Sequence, residues 1–207
     1  MPRLLGLLGS ALLALVALPS RAITIAVHPS TQTVAMGSSL EVSLVVSDLG
    51  DGVAPSLSSF DLDVTFDGGV LDFVGATFGD PVLGDQLDLG GFGSASGATP
   101  GPGVVDLFEI SLDLPDDLDD LQAGSFALAT LAFDAVGLGT SALGISIRVL
   151  GDAAGDPLTA EAAGGSVTSV PEPAPLLLVL SGMVALGRWR GGRGRRVGRR
   201  AARPLTA

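Results

Sequence analysis

The chain has no cysteine, no tyrosine and no lysine in its 207 residues, and only one histidine and one tryptophan. Without cysteine there is no disulfide, no thiolate nucleophile and no sulfur-ligated metal centre. The lone histidine, His28, cannot build a multi-histidine metal site, and beside Pro29 it reads as a surface turn residue. A serine hydrolase would need His28 as its base, and the chain has no G-x-S-x-G elbow. Gly37-Ser38-Ser39 fits only a turn ahead of a strand. Sugar-stacking platforms are normally Trp or Tyr, whose rings lie on pyranose faces while a polar edge stays wet. Trp189 is near the carboxy end, so the body carries no conventional aromatic strip for carbohydrate.

Positive charge is equally scarce in the body. Ten of the 11 basic residues, all arginine, lie in the terminal segments. Between residues 23 and 169 stand 21 acids and one base, Arg148, a net charge of −20 over 147 residues. Such a field keeps a domain soluble and repels polyanions, which argues against a nucleic-acid partner. An acidic polysaccharide could be held only through bridging divalent cations. A span of this length buries a sizeable core without disulfide staples.

Both ends carry address-like patterns. Met1-Pro2-Arg3 is a short positive start, residues 4–18 are almost unbroken apolar sequence, and Pro19 ends the run. Ser20 and Ala22 put small residues at −3 and −1 of a cleavage site after Ala22, so residues 1–22 are expected to be a secretory signal peptide. The apolar run is shorter than the roughly 20 residues a membrane span needs. At the other end, V-P-E-P-A-P at 170–175 precedes an apolar run at 176–187, which begins Leu176, Leu177, Leu178, Val179, Leu180. An arginine-rich end at 188–200 follows, with Arg188, Arg190, Arg193, Arg195 and Arg196, then a tail at 201–207.

That tripartite end resembles the PEP-CTERM sorting signal of exported bacterial proteins. The resemblance implies that Pro171, Glu172 and Pro173 are read by exosortase, a membrane protease/transpeptidase. It further implies a membrane helix at 176–187 as a transient anchor and a basic stop behind it. The expected route is export, inner-membrane anchoring and processing, then the cell surface or extracellular matrix of a Gram-negative bacterium. A plain tail anchor is the competing reading, although the Pro-Glu-Pro triplet has no purpose in one. The chain also runs on past its basic cluster, where the family usually stops. Eight arginines from 188 to 203 could bind anionic lipid as well.

Residues 23–169 read as strands. Ile23, Ile25 and Val27 alternate with Thr24 and Ala26; Leu40, Val42, Leu44 and Val46 alternate with Glu41 and Ser43; Phe60, Leu62, Val64 and Phe66 alternate with Asp61, Asp63, Thr65 and Asp67. Each run has one apolar face and one polar face, the period-two signature of a half-buried strand. Leu71 and Phe73 follow a Gly68-Gly69 turn, and further strands are expected at 104–112, 125–134, 143–150 and 165–170. The P-D-D-L-D-D-L stretch at 115–121 is one helical turn or a loop. Residues 90–103 are so rich in Gly, Pro and Ser that a long surface loop is expected. Seven or more short strands at this spacing predict an all-β antiparallel sandwich.

The wording along 23–150 resembles cohesin-like domains, through V-A-M-G-S-S-L-E-V-S-L-V-V-S at 34–47, S-F-D-L-D-V-T-F-D-G-G-V-L-D-F-V at 59–74 and T-L-A-F-D-A at 130–135. The resemblance implies a nine-stranded jelly roll related to carbohydrate-binding modules. In cellulosomal cohesins one sheet face docks a dockerin, so a protein or polysaccharide partner is the implied role.

Carboxylates are the only abundant chemistry. Asp61, Asp63 and Asp67 share a strand face, and Asp116, Asp117, Asp119 and Asp120 surround Leu118. Paired acids are what a glycosidase uses, yet 21 acids supply such pairs by chance. Calcium takes several loop oxygens, and Asp48 and Asp51 in D-L-G-D-G are candidate ligands, though the segment supplies only these two side chains. The expectation is therefore a non-enzymatic, surface-destined adhesion or matrix protein. It has no catalytic residue and no required cofactor, and its setting is an exopolysaccharide or biofilm layer.

Overall fold

The computed structural model describes residues 22–172 and Met183. The leader before Ala22, Pro173, the run from Leu176 to Leu180 and the arginine-rich end lie outside the described residues. Among the described residues no helix is long and apolar enough to cross a membrane.

Strands form where the period-two pattern predicts them. The elements are β1 (Ile23–His28), β2 (Thr31–Ala35), β3 (Ser39–Ser47), β4 (Leu57–Thr65), β5 (Leu71–Phe78), β6 (Ser94–Gly101), β7 (Val104–Ser111), α1 (Pro115–Leu121), β8 (Ser125–Ala135), β9 (Gly139–Asp152), β10 (Ala160–Ala163) and β11 (Gly165–Val170). They make a five-stranded sheet, β10-β1-β3-β8-β5, packed on a six-stranded sheet, β2-β11-β9-β4-β7-β6. The inward side chains fill the space between them: Ile25, Leu44 and Phe133 from one sheet, and Phe60, Leu62, Val64 and Leu107 from the other, are all fully buried. Phe133 takes the edges of Phe66 and Phe73, with ring centroids 5.2 and 5.7 Å away.

Two expectations need correction. The sandwich is not antiparallel throughout, because β1 pairs β10 and β2 pairs β11 in parallel. The reason is that the first extended run crosses between sheets at Pro29-Ser30 and the last crosses at Gly164. Lying side by side in the same direction, the two runs pair in both sheets. The crossing is tight: a Cβ on Gly164 would come 2.4 Å from the Leu143 carbonyl oxygen. Counting each split run once returns nine runs from eleven strands. The second correction is at 90–103, where β6 replaces the expected loop. An edge strand pairs on one side only, here with β7, and so accommodates Pro100, whose ring nitrogen has no hydrogen to donate.

The stretch at 115–121 is a helix of seven residues. Pro115 opens it with a preset φ, Asp116 and Asp117 face its positive end, and Leu118 is its buried residue.

Alternating strand direction sorts the connections into two poles. The exit pole holds the turns at 36–38, 66–70, 102–103 and 136–138 and the end of β11. The entry pole holds Ala22 and the longer connections at 48–56, 79–93, 112–124 and 153–159. Charge follows the same division. The entry-pole connections carry Asp48, Asp51, Asp80, Asp85, Asp88, Asp113, Asp116, Asp117, Asp119, Asp120 and Asp156. The exit-pole turns carry Asp67, with Glu172 just beyond the last strand.

Candidate binding face

The outer face of the six-stranded sheet gathers the chemistry. In β4, Phe60, Leu62 and Val64 point inward and are fully buried, so period two turns Asp61 and Asp63 outward. In β7 the same alternation buries Val105, Leu107 and Glu109 and turns Asp106, Phe108 and Ile110 outward. Registers place Asp61 opposite Phe108, and Asp63 opposite Asp106. Two carboxylates directly across a ladder repel each other. The answer comes from β9, where the pairing slips: Asp61 faces Val149 while the next residue, Leu62, faces Ile147. That bulge leaves Arg148 as an extra residue, and both Arg148 and Val149 are exposed.

Arg148 is the body's only cation, and it lies across the repelling pair. Its Nε and Nη2 donate to Asp63 Oδ2 at 2.8 and 2.7 Å, and its Nη1 donates to Asp106 Oδ2 at 2.8 Å. The hydrogen bond to Asp63, with the charges of Asp63, Asp106 and Asp61, raises the guanidinium pKa further above its ordinary value against the opposing pull of desolvation. The arginine side chain is still half exposed, so it also remains available to an incoming group. The same sheet face carries Phe108, Ile110 and Val149, exposed by 36, 49 and 52%. Gly97 in β6 clears room for the Phe108 ring, because a Cβ there would meet the ring at 2.7 Å. Apolar side chains around an arginine with charged neighbours have the make-up of a protein-recognition surface.

Beneath this face lies Glu109, 1% exposed. Ser94 Oγ donates to its Oε1 at 2.6 Å, while Oε2 is buried with no hydrogen-bond partner. Burial drives its pKa up to about 7; the Ser94 bond opposes that rise, and nearby Asp85 and Asp88 add to it. The β5–β6 connection is fastened around this group. Ser111 Oγ donates to the Leu87 carbonyl at 2.6 Å, and the Gln122 amide joins the backbones of Leu57 and Gln86.

The acids singled out in the sequence separate in space. Asp61 and Asp63 belong to the binding face; Asp67 leaves it, its Oδ1 accepting from the Gly69 N–H in the exit-pole turn. Asp116, Asp117, Asp119 and Asp120 ride on α1 and its neighbourhood, where Asp119 accepts from Ser56 Oγ at 2.6 Å. Asp48 and Asp51 share the β3–β4 connection, and Asp51 Oδ1 accepts from the Gly124 N–H at 3.2 Å. Among the described residues no three acidic or histidine side chains form a set that could hold a metal ion. Asp48 and Asp51 thus gain no third carboxylate or histidine among the described residues. His28 is exposed at the end of β1, beside an open hollow it lines with Glu41 and Asp80. Pro171 and Glu172 are exposed directly after β11.

Sequence reasoning missed Phe108, Ile110, Val149 and Glu109. A signal was there for three of them: in V-V-D-L-F-E-I-S, Glu109 is in phase with Val105 and Leu107, whereas Phe108 and Ile110 are in phase with Asp106.

No protein-family model and no curated protein matches this chain. Solved structures do, several cohesins among them. A non-cellulosomal cohesin from the archaeon Archaeoglobus fulgidus superposes with a TM-score of 0.55 at 14% identity, covering 74% of this chain and 94% of that one. The cohesin of a type I cohesin–dockerin complex from Clostridium thermocellum gives a TM-score of 0.57 at 13% identity, covering 72% of this chain and all of that one. A cohesin from Clostridium acetobutylicum gives 0.54 at 17% identity, over 75 and 95% of the two chains. The described domain therefore has the cohesin fold.

Proposed function

We propose that this domain is a non-enzymatic recognition module that binds a protein partner through the β9-β4-β7-β6 face. The observation that carries the reading is this sheet face, where the body's one cation, Arg148, shares the surface with exposed Phe108, Ile110 and Val149 on an otherwise strongly acidic domain. Several of the cohesins that share the fold were solved in complex with dockerins, which supports a protein rather than a small molecule as the partner kind. Polysaccharide is a weaker fit, because a carboxylate-rich surface with Phe92 and Phe108 as its exposed rings offers few stacking platforms.

The module is carried on an exported chain. The signal peptide at 1–22 takes it across the inner membrane, and the segment at 176–187 holds it there. Exosortase then reads Pro171-Glu172-Pro173, leaving the domain at the cell surface or in the extracellular matrix. Adhesion within that layer is the work this placement suits.

The test is capture of envelope proteins by the mature chain, comparing Phe108→Asp and Val149→Asp with Val74→Asp on the opposite sheet. Loss of a captured protein in the first two variants alone is expected. Equal capture by all three would overturn the assignment of the face. Mass spectrometry of the native carboxy terminus tests the sorting reading, which predicts an end near residues 170–175; an intact end at Ala207 would refute it.

A further inference from the structure

The turns of the exit pole are hydrogen-bonded to one another. Met36 N–H donates to the Val170 carbonyl at 2.8 Å and Gly37 N–H to that of Ala135 at 2.7 Å. Val136 and Gly137 both donate to the Val70 carbonyl, at 2.9 and 3.2 Å. Gly137 fits so closely under the neighbouring turn that a Cβ would come 2.0 Å from the Gly69 carbonyl oxygen. On this platform Met36, Val136 and Leu138 stand 42, 53 and 54% exposed around the point where the chain leaves the sandwich.

We propose that the exit pole is a lipid-contacting surface, with Met36, Val136 and Leu138 seated in the bilayer interface while the chain is held by its carboxy-terminal apolar run. This rests on the membrane-held reading given above. Three observations support it. Only residues 171–175 separate Val170 from Leu176, a spacer that reaches about 17 Å when fully extended. The run at 176–187 has 12 residues, fewer than the roughly 20 that cross a hydrocarbon core of about 30 Å. A short span draws its flanking residues toward the headgroups, and the exit pole is what flanks it.

Charge gives the third. The entry pole also exposes apolar side chains, including Val53, Val82 and Phe92, but among eleven carboxylates that would lose water on entering a bilayer interface. The exit-pole turns hold Asp67, already engaged by the Gly69 N–H, and Glu172 follows the last strand. Asp72 and Asp134 face each other on the outer wall of the five-stranded sheet, beside the pole. The domain thus stands with its acidic end away from the bilayer.

The absence of cysteine makes the test direct. Leu138→Cys, Val136→Cys and Val53→Cys are labelled singly with an environment-sensitive fluorophore, and the full chain is reconstituted into phosphatidylcholine–phosphatidylglycerol vesicles. The expected result is co-flotation of all three. Spin-labelled lipid should quench emission at positions 138 and 136 and leave position 53 unquenched. Flotation with no quenching at 138 and 136, or with equal quenching at 53, overturns the lipid-contacting pole and leaves the anchor standing. Failure to float overturns the membrane-held reading and the proposal with it.

Discussion

Replacing Glu109 by glutamine should make the domain more stable at neutral pH, and the gain should vanish in acid. Glu109 is buried, and its pKa is raised from 4.5 to about 7. Below pH 4.5 the folded and unfolded states both keep the proton, so the group contributes no pH dependence. Between 4.5 and 7 the unfolded chain ionises while the folded one stays protonated, and stability falls as pH rises. Above 7 both states are ionised and the loss stays constant. A rise of this size corresponds to about 3 kcal/mol, a large share of the 5–15 kcal/mol typical of a domain. Glutamine has no proton to lose, so the ionisation that costs the folded state stability is removed. Urea unfolding of both proteins at pH 4 and pH 8, at fixed ionic strength, gives the difference of differences. That comparison cancels the self-repulsion of the other acids. A stability gap equal at the two pH values would refute the buried-acid account.

Two further perturbations probe the scaffold. Phe60→Ala removes a fully buried ring from the centre of β4 and should cost about 3–5 kcal/mol in urea unfolding; a loss under 1 kcal/mol would mean the core closes over the gap. Asp80 is an opposite case to Glu109: burial raises its pKa, but N–H donors from Ala127, Leu83 and Val82 outweigh that and leave it lowered. Its stabilisation is present above the ordinary carboxylate pKa and is lost as pH falls through the lowered one. Asp80→Asn should therefore speed hydrogen exchange in the 79–93 connection at pH 7, with less effect at pH 2.

The parts of the fold legible in the sequence are those where one side chain in two is buried. β4 shows this most plainly, since Phe60, Leu62 and Val64 meet the core and their neighbours do not. β2, β6 and β10 were not legible, because edge strands bury little and their side chains carry no alternation. For β6 the backbone hydrogen bonds to β7 decide the conformation, and its Gly and Ser residues merely permit it. The binding face was half legible. Its carboxylates and its apolar residues follow from phase along β4 and β7. The placement of Arg148 depends on a one-residue slip between β4 and β9, a long-range event with no local signature. Glu109 was readable as an acid in a core position, but its raised pKa depends on Asp85 and Asp88, brought in by a loop from the other sheet.

The two parallel pairings tie the beginning of the domain to its end. β1 needs β10 and β2 needs β11, so neither sheet reaches its final width until Val170 is available. For a chain threaded outward amino end first, this sets a clock. The earliest strands wait through the whole passage with an edge unpaired, and long-range pairing of this kind is slow. In the export route proposed above, β11 is the last strand to emerge and lies beside the proposed Pro171-Glu172-Pro173 address, so completion of the fold and presentation of that triplet would fall at the same moment of transit.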